Sequence, residues 1–195
     1  MFERFYPDLM VDKVQNIDLN VLKEKGIKGL ILDIDNTLVP QYTKEAGENV
    51  VKWIERLKRE GLNACIVSNA SRTRVGKFNE RLKILAIHRA TKPSAKAFIR
   101  AVKLMGISLN EAAVVGDQIF TDVYGGNKLN MLTVLVSPID KREVLIVRLK
   151  RFAEKVVLTQ HLKHGRNNVS INKRLQWKKN SAIRYSKGGY GNGDR

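Results

Sequence analysis

Five short apolar runs, each followed by a helical pattern or a turn, constrain the fold of this chain more than any other feature. The runs are KGLILDID (28–35), NACIVSN (63–69), ILAIHRA (84–90), AAVVGD (112–117) and LTVLVSP (132–138). Each is too short for a helix and most are bounded by Gly, Asn, Asp or Pro, so they read as strands buried on both faces. Between them, ENVVKWIERLKREG (48–61), SRTRVGKFNERLK (71–83), PSAKAFIRAVKLMG (93–106) and TDVYGGNKLN (121–130) read as helices. In the first of these, Val50, Val51, Ile54 and Leu57 share one side and Gly61 supplies the stop. Strands that alternate with helices predict an α/β fold, with a mainly parallel five-stranded sheet covered on both faces. A further helix, DLNVLKEKG, precedes the first strand, and KREVLIVRLKRFAEKVVL (141–158), apolar at 145, 149, 152 and 156, closes the domain.

Charge divides the chain in two. The 195 residues carry a formal net charge of +17, which favours polyanionic partners such as anionic lipid, nucleic acid or phosphorylated ligands. Residues 159–195 hold nine Lys and Arg against Asp194 alone, end in SKGGYGNGDR and show no apolar period, so this tail is expected to be disordered. Residues 1–158 form the predicted domain. The single Cys65 lies in an apolar run and reads as a small core hydrophobe, which makes a reducing, cytoplasmic location the default. MFERFYPDLMVDK interrupts any signal-like stretch with acids and a proline, and no window approaches a membrane span. Membrane contact is therefore expected to be peripheral, at the inner membrane surface.

In open α/β sheets ligands bind outside the carboxyl ends of the strands, and the polar clusters of this chain fall there. Asp33 and Asp35 follow the first run, Ser68 and Asn69 the second, Lys92 the third, and Asp117 and Asp122 the fourth. Taken singly, an Asp or Asn in such a place is a turn or helix-cap former. Together, three carboxylates able to bind a hard cation, one lysine and one hydroxyl make an inventory for phosphoryl chemistry. His88, in AIHRA, reads as half-buried and outside the chemistry. Arg72 and Arg74, opening the helix after Asn69, read equally as substrate contacts or as solvent-facing residues.

DIDNT (33–37), SN (68–69), KP (92–93) and GDQIFTD (116–122) resemble, in order and spacing, the four signature motifs of the haloacid dehalogenase-like (HAD) phosphatases. The resemblance spans about residues 27–138, and DIDNTLVP with SNAS and KPS is most similar to the class IIIA branch, the YqeG type related to phosphatidylglycerophosphate phosphatases. It implies a three-layer Rossmann-like core. It also implies Asp33 as a nucleophile forming an aspartyl phosphate, and Asp35 as general acid and then base. Mg²⁺ would be held by Asp33, the Asp35 backbone carbonyl and Asp117, with Asp122 in support. Ser68, Asn69 and Lys92 would bind the substrate phosphate, Lys92 also neutralising charge during the reaction.

Many HAD relatives insert a substrate-recognising cap domain. Here 32 residues separate Asp35 from Ser68 and 23 separate Ser68 from Lys92, room for one helix and one strand each. A capless, open rim predicts a large or surface-held substrate. Phosphatidylglycerophosphate leads by resemblance, the anionic headgroup suiting the basic surface and the amphipathic 141–158 segment suiting an interface. A phosphoprotein or a nucleic-acid end is the alternative substrate. A different class of function, RNA or ribosome binding, would use the tail, where Trp177, Tyr185 and Tyr190 are interleaved with basic residues.

Overall fold

All six strands of the sheet run parallel, in the order β1-β6-β5-β2-β3-β4. The computed structural model describes residues 3–41 and 43–140. In chain order the main elements are β1 (Leu9–Val11), α1 (Leu19–Glu24), β2 (Gly29–Leu32), α2 (Glu48–Arg59), β3 (Asn63–Val67) and α3 (Arg72–Asn79). There follow β4 (Leu85–Ile87), α4 (Ala95–Met105), β5 (Ala112–Gly116), α5 (Tyr124–Asn127) and β6 (Leu132–Val136). The segment 141–158 and the basic tail, with the domain boundary expected between them, lie outside the described residues.

Every residue of β2 and β5 is buried, as a strand covered on two faces must be. Alternation then sorts the side chains. Leu30, Leu32, Ala64, Ile66, Ala113 and Val115 face one core with Val50, Trp53, Ile54 and Leu57 of α2. Ile31, Cys65 and Val114 face the other with Phe98, Ala101 and Val102 of α4. Helix ends follow local chemistry: the Ser71 hydroxyl accepts from Arg74 N to start α3, and Gly106, at φ 68°, ends α4 in a left-handed turn.

Two features differ from the expectation. A sixth strand, β1, pairs with β6 in the register Leu9↔Val134. It escapes the apolar-run criterion because it is three residues long, with only Leu9 buried and Met10 57% exposed. It is held instead by Asp8, whose N–H donates to Thr133 O at 3.0 Å and whose Oδ2 accepts from Thr133 N at 3.0 Å. The fourth predicted helix begins as one wide π-helical turn, Ile119–Val123, before the short α5. Such turns are frequent at functional sites.

From β2 the chain runs outward through β3 and β4, then returns to the other side of β2 with β5. The order therefore reverses between β2 and β5, the crevice where open α/β sheets bind ligands. Only α2 and β3 lie between Asp35 and Ser68, and only α3 and β4 between Ser68 and Lys92, so no cap domain is inserted.

Candidate active site

The crevice between β2 and β5 brings Asp33 and Asp117 together, because Asp33 N donates to Val115 O at 3.0 Å and extends the β2–β5 ladder by one step. The chain then turns sharply. Ile34 O accepts from Leu38 N at 2.9 Å, and Asn36 N donates to Val39 O at 2.8 Å. Asn36 adopts φ 60°, a conformation asparagine tolerates better than most residues. This turn leaves Asp33 buried and Asp35 partly exposed at the rim.

Lys92 is the hub. Its Nζ lies 2.7 Å from Asp33 Oδ1 and 2.7 Å from Asp122 Oδ1, with all three side chains under 10% exposed. Burial alone would push the ammonium down; the Asp122 and Asp33 carboxylates outweigh it and hold Lys92 protonated, above its ordinary value. Burial pushes the Asp122 carboxyl up to about 6, against the pull of Lys92. Asp122 Oδ2 accepts from Gln118 N at 3.2 Å and from the Thr121 hydroxyl at 3.3 Å. Both Asp122 oxygens are thus engaged by protein donors.

The main chain of Lys92 is gripped by Asn69, whose Oδ1 accepts from Lys92 N at 2.7 Å and whose Nδ2 donates to Lys92 O at 3.4 Å. Asn69, expected at the substrate phosphate, thus positions the Lys92 main chain with its oxygen and one of its two amide N–H donors. Ser68, 2% exposed, accepts from Ala70 N at 3.2 Å through its Oγ. Its N–H donates to Ile87 O and its carbonyl accepts from Ala90 N, so β4 fixes the residue in place.

The expected residues of all four motifs meet on this rim, and oxygens of Asp33, Asp117 and Asp122 lie within 4.8 Å of one another. Asp33 and Asp122 share one ammonium and Asp117 adds a third buried carboxylate beside them, an excess of negative charge on hard oxygen donors that fits a divalent cation. His88 is exposed beyond the end of β4 rather than half-buried.

Three contributors take their roles only from the structure. The Thr37 hydroxyl donates to Asp117 Oδ1 at 3.2 Å, a task that its place at the end of DIDNT does not reveal. Arg74, previously balanced between two roles, places Nη2 2.9 Å from Asp35 Oδ1, while Arg72 faces solvent. Gly116 is required by close approach: a Cβ there would fall 2.2 Å from Asp122 Cγ. Only the GDQIFTD motif hinted at that last constraint.

Fold, crevice and residue set together define a phosphatase of the HAD type, a phosphoric monoester hydrolase. The chain belongs to the mitochondrial PGP phosphatase family, whose model matches residues 2–140. It is 39% identical over 166 residues to "Probable phosphatase YqeG" of Bacillus subtilis (strain 168), covering 85% of this chain and 96% of that protein. It is 34% identical over 170 residues to "Phosphatidylglycerophosphate phosphatase 1, chloroplastic/mitochondrial" of Arabidopsis thaliana, covering 82% of this chain. The chain spans 49% of the length of that plant relative. Among solved structures, 3-deoxy-D-manno-octulosonate 8-phosphate phosphatase from Moraxella catarrhalis, in complex with magnesium and phosphate ions, aligns at 23% identity and TM-score 0.42. That alignment covers 52% of this chain and 65% of the other. Among the described residues no helix is long and apolar enough to cross a membrane.

Proposed function

We propose that this protein is a Mg²⁺-dependent phosphomonoester hydrolase working through an aspartyl phosphate, and that its substrate is phosphatidylglycerophosphate presented at a membrane surface. The observation that carries the reading is the buried contact of Lys92 Nζ with Asp33 Oδ1 at 2.7 Å, inside a cluster of three carboxylates. Asp33 is the nucleophile: its carboxylate attacks phosphorus, the P–O bond to the lipid glycerol breaks, and Asp35 delivers a proton to the departing alkoxide. Asp35 then takes a proton from the water that attacks the aspartyl phosphate, releasing inorganic phosphate and restoring Asp33.

Lys92 lowers the repulsion between the Asp33 carboxylate and the incoming phosphoryl group. The Ser68 Oγ already accepts a hydrogen bond from Ala70 N, which leaves its proton to donate to a phosphoryl oxygen. Arg74 positions the Asp35 side chain at the rim through one oxygen, Oδ1, which leaves Oδ2 to carry the proton that the leaving group takes. Asp33, the Asp35 carbonyl and Asp117 are the residues that would hold Mg²⁺, with Asp122 buttressing Lys92. The ion, when bound, supplies Lewis-acid polarisation of the phosphoryl oxygens. The lipid substrate is supported by the family and by the plant relative's name, and by a rim over which the described residues insert no cap domain.

The test is phosphate release from phosphatidylglycerophosphate in mixed micelles, with and without Mg²⁺, for wild type beside Asp33→Asn. Metal-dependent release in the wild type, absent from the variant, is the expected result. Release that survives Asp33→Asn would overturn the nucleophile, and hydrolysis of aryl phosphates without the lipid would overturn the substrate.

A further inference from the structure

Beside the catalytic cluster lies a second cavity that the chemistry above does not use. It is a groove of about 800 Å³ between α2 and the turn after β2, with Thr37, Leu38, Val50, Trp53 and Ile139 among its lining residues. Thr37 joins the two sites: its hydroxyl holds Asp117 while the residue also lines the groove. A ligand seated there therefore lies one turn of chain away from the acid cluster.

The lining is amphiphilic. Ile139, 45% exposed, provides the apolar surface, and the buried Leu38, Val50 and Trp53 form the floor beneath it. Lys13, Lys52, Arg56 and Arg59, all exposed, provide four cations, and among the described residues none has a carboxylate within ion-pair distance. Glu48, the acid that lines the groove, is drawn off by Arg81 Nη2 at 2.8 Å. The indole N–H of Trp53 is buried with no hydrogen-bond partner among the described residues, although a buried indole N–H ordinarily finds one.

We propose that this groove binds the phosphodiester and upper acyl region of an anionic glycerophospholipid. The inference rests on the lipid-phosphatase reading and assigns the part of the substrate that does not react. A cationic wall suits the phosphodiester, and the apolar part suits the glycerol and first methylenes of the chains. Nucleic acid fits poorly, since Trp53, 3% exposed, offers no ring face for a base to stack on. Residues 141–195 fit poorly too, with fifteen Lys and Arg against three acids facing a cationic wall. The monoester at Asp33 and the diester in the groove would be held at once, which would favour a lipid carrying both over a soluble monoester.

Trp53 reports on the groove once Trp177, the other tryptophan, is replaced. The full chain bearing Trp177→Phe is titrated with dihexanoyl phosphatidylglycerol below its micellar concentration, following Trp53 emission. A saturable change is expected, about tenfold or more weaker with zwitterionic dihexanoyl phosphatidylcholine. Adding Lys52→Glu and Arg56→Glu should weaken phosphatidylglycerol binding by about tenfold or more. Reversing the same charge on α4, with Lys96→Glu and Lys103→Glu, should leave that affinity within about twofold. Equal affinity for both lipids, an unaltered constant in the Lys52/Arg56 variant with native circular dichroism, or equal loss in the α4 variant would each overturn the assignment. Phosphate release measured on the same preparations separates the two readings. Hydrolysis without groove binding sinks the groove, and groove binding without hydrolysis sinks the proposed reaction.

Discussion

Replacing Gly116 with alanine tests whether the Lys92–Asp122 pair is set by the packing beneath it. The new Cβ would lie 2.2 Å from Asp122 Cγ, 2.3 Å from Oδ2 and 2.5 Å from Cβ, where ordinary contact begins near 3.4 Å. The carboxylate must then retreat by about 1.2 Å, the difference between those distances. Such a shift carries Oδ1 from 2.7 Å out of hydrogen-bond range of Lys92 Nζ and loosens the bond from Gln118 N. Separating a buried pair in this way costs about 3 kcal/mol. At about 3 °C per kcal/mol for a domain of this size, Tm should fall by about 9 °C. Lys92, left with Asp33 alone, would shift from its place, and misplacement by about 1 Å should slow phosphate release by about 100-fold. Guanidinium titration of four proteins measures the coupling: wild type, Gly116→Ala, Asp122→Gly and the double variant. Because Asp122→Gly removes all three overlapping atoms, the alanine should cost less than about 1 kcal/mol in that background, a coupling of about 2 kcal/mol. An equal cost in both backgrounds, or Gly116→Ala within about 0.5 kcal/mol of wild type, would refute the reasoning.

Removing the Asn69 side chain with Asn69→Ala deletes both bonds to the Lys92 main chain and should cost about 1–2 kcal/mol in denaturant titration, with kcat falling more than KM rises. A KM effect alone would return Asn69 to direct phosphate binding. Arg74→Ala should leave stability within about 1 kcal/mol, since the Asp35 pair is partly exposed, yet lower turnover by disordering the proposed acid; unchanged steady-state kinetics would remove its role. Burial pushes the Cys65 thiol up to about 12, so it should resist an aromatic disulfide reagent at pH 8 until guanidinium unfolds the chain. Reaction in native protein at the rate of a free thiol would contradict the packed β3. Chelation should abolish phosphate release, and added Mg²⁺ should restore it and raise Tm in a concentration-dependent way; an Asp117→Asn variant that keeps the same Mg²⁺ response would exclude Asp117 as a ligand.

Much of the fold was legible because parallel strands buried on both faces must be continuous apolar runs, as β2, β3, β5 and β6 are; β4 is an apolar run too, but at the sheet edge it leaves Leu85 39% exposed instead of buried as expected. The sixth does not show in this way: β1 buries one side chain and is held by Asp8 on Thr133, a bond between residues 125 apart in sequence. The clustering of Asp33, Lys92, Asp117 and Asp122 was legible by motif, because each motif stands at or shortly after the end of a parallel strand. Arg74 and Thr37 were less so, since their partners Asp35 and Asp117 lie 39 and 80 positions away. The contact of Asn69 with Lys92 was hidden for the same reason, its amide oxygen accepting from a backbone N–H 23 residues on.

The residue order by itself determined the fold class, the missing cap and the chemical types gathered at the rim, all of which depend on local period, spacing and side-chain identity. Tertiary structure decided which of those groups touch. The reversal of strand order between β2 and β5 sets Asp33 beside Asp117, and close packing of Gly116 under Asp122 lets a carboxylate reach Lys92. The same folding leaves four cations around an apolar groove next to the acids. Contacts across the sheet arise from the path of the backbone, and no local pattern of residues encodes that path one position at a time.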